Sequence, residues 1–124
     1  MTIMTFGSDA AAKLAALERS QAVIEFKMDG TINTANENFL KLMGYSLGEI
    51  VGKHHSIFVD VNVRETPEYK AFWDNLNRCE FQQAQFSRIG KAGNEVWIEA
   101  TYNPVLNSRG RPYKVVKFAT DVTQ

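Results

Sequence analysis

The chain has 124 residues, which suffices for one domain with a hydrophobic core. Its 14 lysines and arginines balance 14 aspartates and glutamates without a basic cluster, so we expect neither nucleic acid nor an anionic membrane as a partner. Cys79 is the single cysteine, which excludes an intramolecular disulfide and a cysteine-based zinc site and is typical of a reducing compartment.

The first residues do not resemble a targeting signal. Residues 1–7 lack both the basic start and the apolar middle of a signal peptide. No apolar run approaches the roughly 20 residues that cross a bilayer. We therefore expect a cytoplasmic location and no membrane contact.

A short helix is predicted at residues 10–19. Ser8 and Asp9 can cap its start, and Leu14 and Leu17 lie on one side. Because so short a helix is marginal alone, it must dock on something. Either it covers the rest of the domain, or it ends a longer helix that couples the domain to a neighbour or to a second copy in a homodimer. We separate it as residues 1–19, with the main domain at 20–124.

The next stretch predicts a β-hairpin that leads into two helices. Residues 22–27 and 31–35 alternate apolar and polar positions around the turn signal Asp29-Gly30. Asn36 is placed to cap a first helix, which a glycine ends. A second short helix follows. Ser46 and Glu49 form its capping box, and Gly52 ends it.

The middle of the chain changes from irregular to helical. Residues 53–66 are mixed and without a strong period, with one helical turn expected at 55–58; such segments often form the wall of a ligand pocket. Pro67 then begins an amphipathic helix that runs to Asn77. Its apolar face carries Tyr69, Phe72, Trp73 and Leu76.

The C-terminal third predicts three antiparallel strands. Residues 80–89, 95–105 and 112–122 read as strands, and the polar segments 90–94 and 107–111 as turns. Together with the first hairpin they make a five-stranded α+β domain whose helices cover one face of the sheet.

At this point the sequence resembles the PAS domains of bacterial methyl-accepting chemotaxis proteins and aerotaxis transducers. The likeness spans about residues 20–123 and rests on DGTINTANENFLKLMGYSLGEIVGKHH, PEYKAFWDNL and GNEVWIEATYNPVLNSRGRPYKVVKFATDVT. It implies strand order 2-1-5-4-3 and a ligand pocket between the helices and the inner face. It also implies that Asp121 and Thr123 relay the signal to a downstream helix of the same chain, although they could equally cap the end of the strand.

No catalytic constellation stands out, so we expect a sensory domain and not an enzyme. Cys79 has no obvious partner in the sequence, and a lone cysteine is usually inert. The photoactive flavin-binding branch of the family carries its reactive cysteine in an NCRFLQ-like stretch one helix earlier, and nothing in this chain matches it. Light sensing through a cysteinyl adduct is therefore not expected.

The two histidines are the best chemical feature. Similar aerotaxis PAS domains bind haem b through a histidine in this region, which implies His55 or His54 as the iron ligand and oxygen or another gas as the signal. We prefer His55 because it lies nearer the apolar Phe58. Trp97 or Tyr102 would then contact the bound gas from the inner sheet. Alternatively, one histidine caps a helix and the other is solvated.

Two other interpretations stay open. Flavin-binding redox PAS domains, which hold FAD, carry asparagine followed by arginine where this chain has Ser87 and Arg88, and Trp73 would either stack on the flavin or belong to the core. The third interpretation is an interaction or dimerisation module without a cofactor. In that case the pocket is filled by Met28, Met43, Phe58, Phe86 and Trp97.

Overall fold

A computed structural model describes residues 2–123, with side chains from Asp9 onward. Five strands form one sheet: β1 (Ala22–Phe26), β2 (Ile32–Ala35), β3 (Gln82–Ile89), β4 (Glu95–Leu106) and β5 (Pro112–Asp121). Five α-helices accompany it: α1 (Thr2–Ser20), α2 (Glu37–Met43), α3 (Leu47–Ile50), α4 (Val61–Arg64) and α5 (Pro67–Asn77). A 3₁₀ turn at His55–Phe58 lies between α3 and α4.

The sheet is antiparallel throughout, in the order β2-β1-β5-β4-β3. This confirms the fold class, the strand order and the helix at Pro67–Asn77. Helix α4 was not predicted, because one turn without buried residues leaves no apolar period to read.

Local side-chain bonds explain the hairpin and the helix after it. Asp29 accepts a hydrogen bond from the Thr31 amide at 2.9 Å, and Gly30 takes the positive φ of 90° that the turn requires. Asn36 caps α2 by accepting from the Phe39 amide at 3.0 Å and also accepts from the Val23 amide at 2.9 Å. One side chain thereby fixes the angle between β1 and α2.

Helix α1 is longer than predicted. It begins at Thr2, so Ser8 and Asp9 lie within it and the predicted cap is wrong. The alanine-rich segment extends toward the N-terminus because each residue added to an existing helix costs little. The side-chain Nδ2 of Asn36 donates to the carbonyl oxygens of Glu18 and Gln21, at 3.0 and 2.9 Å. These bonds tie the end of α1 to the domain.

The core lies between the inner face of the sheet and α2, α3, α5 and the 3₁₀ turn. From Glu95 to Tyr102 along β4 the side chains alternate, with every second one buried. The largest fully buried side chains include Phe26, Phe39, Phe58, Tyr102, His55 and Lys117. Within the described part of the chain, none of the helices combines the length and apolar character that crossing a bilayer requires.

Replacing Asn36 with alanine is expected to lower the free energy of unfolding by about 2 kcal/mol, because the helix cap and its bonds to α1 are lost together. Urea unfolding measures the change. Asn62→Ala is the matched control: Asn62 is exposed, and its loss should change stability by less than about 0.5 kcal/mol. Equal effects of the two substitutions would contradict the role given to Asn36.

Candidate functional site

The two adjacent histidines point in opposite directions. His54 is exposed; its Nδ1 accepts from the Ser56 amide at 3.0 Å and its Nε2 donates to the Asp29 carbonyl at 2.9 Å. His55 is fully buried, and its own amide donates to the Gly30 carbonyl at 2.8 Å. The β1–β2 turn therefore holds the start of the 3₁₀ turn so that only the second imidazole enters the core.

Both ring nitrogens of His55 meet tyrosine hydroxyls. Nδ1 lies 2.8 Å from Tyr69 OH, and Nε2 lies 2.9 Å from Tyr102 OH. A neutral imidazole donates through one nitrogen and accepts at the other, which hydroxyl partners allow. Burial lowers the pKa of His55 well below its usual value, and the nearby positive charges of Arg88 and Lys117 lower it further. The imidazole is therefore neutral at pH 7.

Aromatic rings surround this imidazole. The ring centres of Phe26, Trp73, Phe72 and Phe58 lie 5.2, 5.5, 6.1 and 6.3 Å from that of His55. Burial raises the pKa of Tyr69 to about 12, so its hydroxyl keeps its proton at neutral pH. The result is a packed, mostly aromatic core around one neutral imidazole.

Two cations lie next to Tyr102 in the core. Arg88 Nη2 donates to Tyr102 OH at 3.0 Å, and the Lys117 ammonium lies 4.8 Å from the centre of the Tyr102 ring. Burial alone would raise the pKa of Tyr102, but Arg88 and Lys117 together bring it below the ordinary value. Burial lowers the pKa of Lys117. Among the described residues, no ion pair includes either cation.

The structure brings four of the predicted site residues together: His55, Phe58, Trp73 and Tyr102. It contradicts the placement of Trp97 on the inner face. Trp97 is 41% exposed because it alternates with the buried Val96 and Ile98, so it neither lines nor fills the core. His54 lies outside the core as a cap.

Sequence reasoning placed Tyr69 on the apolar face of its helix but missed its bond to His55, and it missed the burial of Arg88 and Lys117 beside Tyr102. The signal for Lys117 was available, because it alternates with Val115 and Ala119, which face inward on β5. Its charge argued against burial and concealed it.

The donor set can be tested against the two cofactors. A buried neutral imidazole beside two cations that form no ion pair among the described residues is a donor set suited to haem b, whose iron takes neutral imidazole and whose propionates are carboxylates. Binding to iron requires one tyrosine hydroxyl to release a His55 nitrogen. The flavin fit is poorer: Ser87 donates to Glu95 at 2.8 Å instead of offering an amide, and only Arg88 is buried in the core.

The predicted relay residues lie at the C-terminal end of β5, with Asp121 as its last residue and Thr123 two residues beyond. Thr123 Oγ1 accepts from the Trp97 amide at 2.9 Å, and the Asp121 carboxylate accepts from the Thr123 amide at 2.9 Å. The latter bond lowers the pKa of Asp121. Trp97 and Thr123 line a surface groove together with Gln85, Glu95 and Val122. The end of β5 is thus fastened to β4 by side chains.

Comparison with known proteins identifies the fold and one close relative. The family described as "PAS fold" matches residues 32–119. The biofilm dispersion protein BdlA of Pseudomonas aeruginosa is 48% identical over 111 residues, which are 90% of this chain and 27% of that protein. The chain therefore spans about a quarter of the length of this relative.

Solved structures agree in architecture. The PAS domain of a protein from Colwellia psychrerythraea has a TM-score of 0.78 at 16% identity, covering 92% of this chain and 97% of that one. A light-oxygen-voltage domain from a flavin-analogue study has a TM-score of 0.76 at 20% identity, covering 91% and 86%. At these identities the likeness concerns the fold alone.

The domain is expected to lose stability as the pH falls from 7 to 5. The unfolded chain protonates His55 below about pH 6.5, whereas the folded chain keeps it neutral. The free energy of unfolding therefore falls by up to about 1.4 kcal/mol for each pH unit below about 6.5. Urea unfolding at several pH values measures the slope. His55→Gln should remove it, whereas the control His54→Gln should retain it. An unchanged slope in His55→Gln would contradict the assignment.

Replacing Thr123 with valine is expected to speed hydrogen exchange at the Trp97 amide about fivefold, since the loss of one neutral hydrogen bond costs about 1 kcal/mol. NMR-detected exchange measures it. Thr120→Val is the control, because Thr120 bonds Gln21 and not Trp97. Unchanged exchange in Thr123→Val would show that the Thr123 side chain does not hold β4.

Proposed function

The chain belongs to the PAS fold family, and we propose that it is the cytoplasmic, non-enzymatic sensory domain of a chemoreceptor-like signalling protein. The likeness to a biofilm dispersion protein over nine-tenths of the chain supports a role in signalling. In this proposal the inner core receives the signal and the C-terminal end of β5 passes it to a following helix of the same chain. No nucleic acid or membrane contact is part of it.

Haem b is the cofactor we propose, bound through His55. The supporting observation is that this imidazole is fully buried, neutral and surrounded by aromatic rings. Arg88 and Lys117 lie nearby and would bind the propionate carboxylates. When bound, haem supplies a centre that takes a gas or changes redox state.

The residues of this chain would divide the work around that centre. Tyr69 keeps its hydrogen bond to Nδ1 and so orients the ring. Tyr102 would give up its bond to Nε2, and its hydroxyl, which also accepts from Arg88, would then be able to donate to a ligand in the core. Phe26, Phe58 and Trp73 exclude water. The surface groove with Trp97 lies outside this core, so in this proposal it does not contact the ligand.

A cofactor-free interaction module is the second candidate, and a specific observation favours it. Both His55 nitrogens already have hydrogen-bond partners, and the aromatic rings pack at normal edge-to-face distances. Association through α1 belongs with this candidate, since Leu14 and Leu17 are each 46% exposed. A flavin, FAD, is the remaining alternative, and its absorption distinguishes it.

Absorption spectra of the purified domain, as isolated and after addition of hemin, dithionite and carbon monoxide, test the proposal. We expect a Soret band that shifts on reduction and again with carbon monoxide. His55→Ala should weaken hemin binding at least tenfold, because the buried iron ligand is lost. His54→Ala is the matched control and should bind hemin like the wild type, since His54 faces solvent.

Three results would reject haem as the cofactor. Hemin uptake unchanged in His55→Ala would remove the ligand assignment. Paired flavin bands in the isolated domain would establish the flavin alternative. A spectrum of tryptophan and tyrosine alone, unaltered by hemin, would support the cofactor-free module.

A further inference from the structure

Two positively charged side chains are buried in the core without an ionic partner among the described residues. Arg88 is 7% exposed and Lys117 is 1% exposed. The five ion pairs of the described chain all involve other lysines or arginines. From this we propose that Arg88, Lys117 and Tyr102 form a binding site for the carboxylate of an aromatic or similarly flat, apolar molecule.

The three side chains converge from neighbouring strands. Tyr102 on β4 pairs directly with Lys117 on β5, so both side chains leave the same face of the sheet. Arg88 reaches the Tyr102 hydroxyl from β3 with Nη2 at 3.0 Å. Its Nε is buried and has no hydrogen-bond partner among the described residues. A carboxylate oxygen would satisfy that donor, because guanidinium and carboxylate match geometrically.

No negative charge balances these cations from the elements packed around them. The 3₁₀ turn contributes the neutral His55, α5 contributes Tyr69, and β1, α2 and β3 contribute the phenylalanines at 26, 39 and 86. Burying a charge is unfavourable unless an opposite charge or several hydrogen bonds compensate it. The only acidic group at hand is the Tyr102 phenol, which shares its hydroxyl between Arg88 and His55. An entering carboxylate supplies the missing charge.

The surroundings define the rest of the ligand. Away from the cations the surrounding core consists of aromatic rings, which favour a flat apolar body. Phe72 and Phe86 are only partly buried and pack edge to face, with ring centres 5.8 Å apart, between α5 and β3. A free aromatic acid and a porphyrin propionate share this chemistry. Binding of a porphyrin propionate rests on the proposed haem function, whereas binding of a free aromatic acid does not.

Benzoate and benzamide separate charge from shape, because they differ in the carboxylate alone. Titrated into the apo domain and followed by two-dimensional NMR, benzoate should shift amide resonances around Arg88, Tyr102 and Lys117, and benzamide should not. Lys117→Met and Arg88→Met should each weaken benzoate binding about tenfold or more, as expected when a charged hydrogen bond is lost. Lys114→Met is the matched control: Lys114 lies on the same strand, paired with Glu25 outside the cluster, and its loss should change nothing.

A stability measurement guards against variants that merely misfold. Lys117→Met removes a buried cation and keeps an apolar stem, so the apo domain should melt at the same temperature or higher. Weakened benzoate binding in this more stable variant would identify the ammonium as a ligand-binding group. If Arg88→Met fails to fold, Lys117→Met alone decides the test.

Hemin and hemin dimethyl ester, which lacks free carboxylates, distinguish a porphyrin propionate from a free aromatic acid as the ligand of this site. Uptake of hemin in preference to its ester, lost in Lys117→Met, would assign the site to porphyrin propionates. Benzoate binding without hemin uptake would reject the proposed haem function and leave the carboxylate site standing. Equal response to benzoate and benzamide, together with equal uptake of hemin and its ester, would overturn the carboxylate site. His55-dependent hemin uptake would in that case still support the haem proposal.

Discussion

The hydrogen bond between His55 and Tyr102 joins the two layers of the domain. It connects the 3₁₀ turn on the helical side to the middle of the sheet at 2.9 Å, inside a core from which water is excluded. On the other side of the turn, the His55 amide is bonded to the β1–β2 turn at Gly30. Because a buried polar group is costly when unpaired, each partner fixes the position of the other. The aromatic rings pack around an imidazole that has little freedom left.

The same cluster lowers the stability that the core could otherwise have. A core of this size could be filled with leucine and phenylalanine, and replacing buried charges with apolar groups often stabilises a protein. This chain instead keeps Arg88 and Lys117 in contact with the hydroxyl and the ring of one tyrosine. Buried polar groups that lower stability are typical of sites where binding is the purpose. That argument applies equally to a gas-binding cofactor and to a small acid.

Most of the fold could be predicted from the sequence, whereas the site could be predicted only in part. Turn and cap residues such as Asn36, Gly44 and Pro67 act locally, so their effects are readable without tertiary structure. Trp97 and Tyr102 could not both face inward, because their positions on one regular strand have opposite parity. Because Val96 is buried, the even-numbered positions face inward, so Tyr102 lies in the core and Trp97 does not. Arg88 escaped notice for a different reason: charge is normally evidence for the surface, and only contacts across strands show otherwise.

The placement of these residues also connects the core to the end of the chain. Strand β4 carries Tyr102 on its inner face and Trp97 on its outer face, and β5 carries Lys117 before it reaches Asp121. Ile98 of β4 pairs with Asp121 of β5. The residue before Ile98 is Trp97, whose backbone is hydrogen-bonded to the Thr123 side chain. Paired strands twist together, since their backbone hydrogen bonds are shared. If the proposed function is right, a ligand that separates Tyr102 from His55 would therefore act on the strand pair that ends at Asp121 and Thr123, the predicted relay residues.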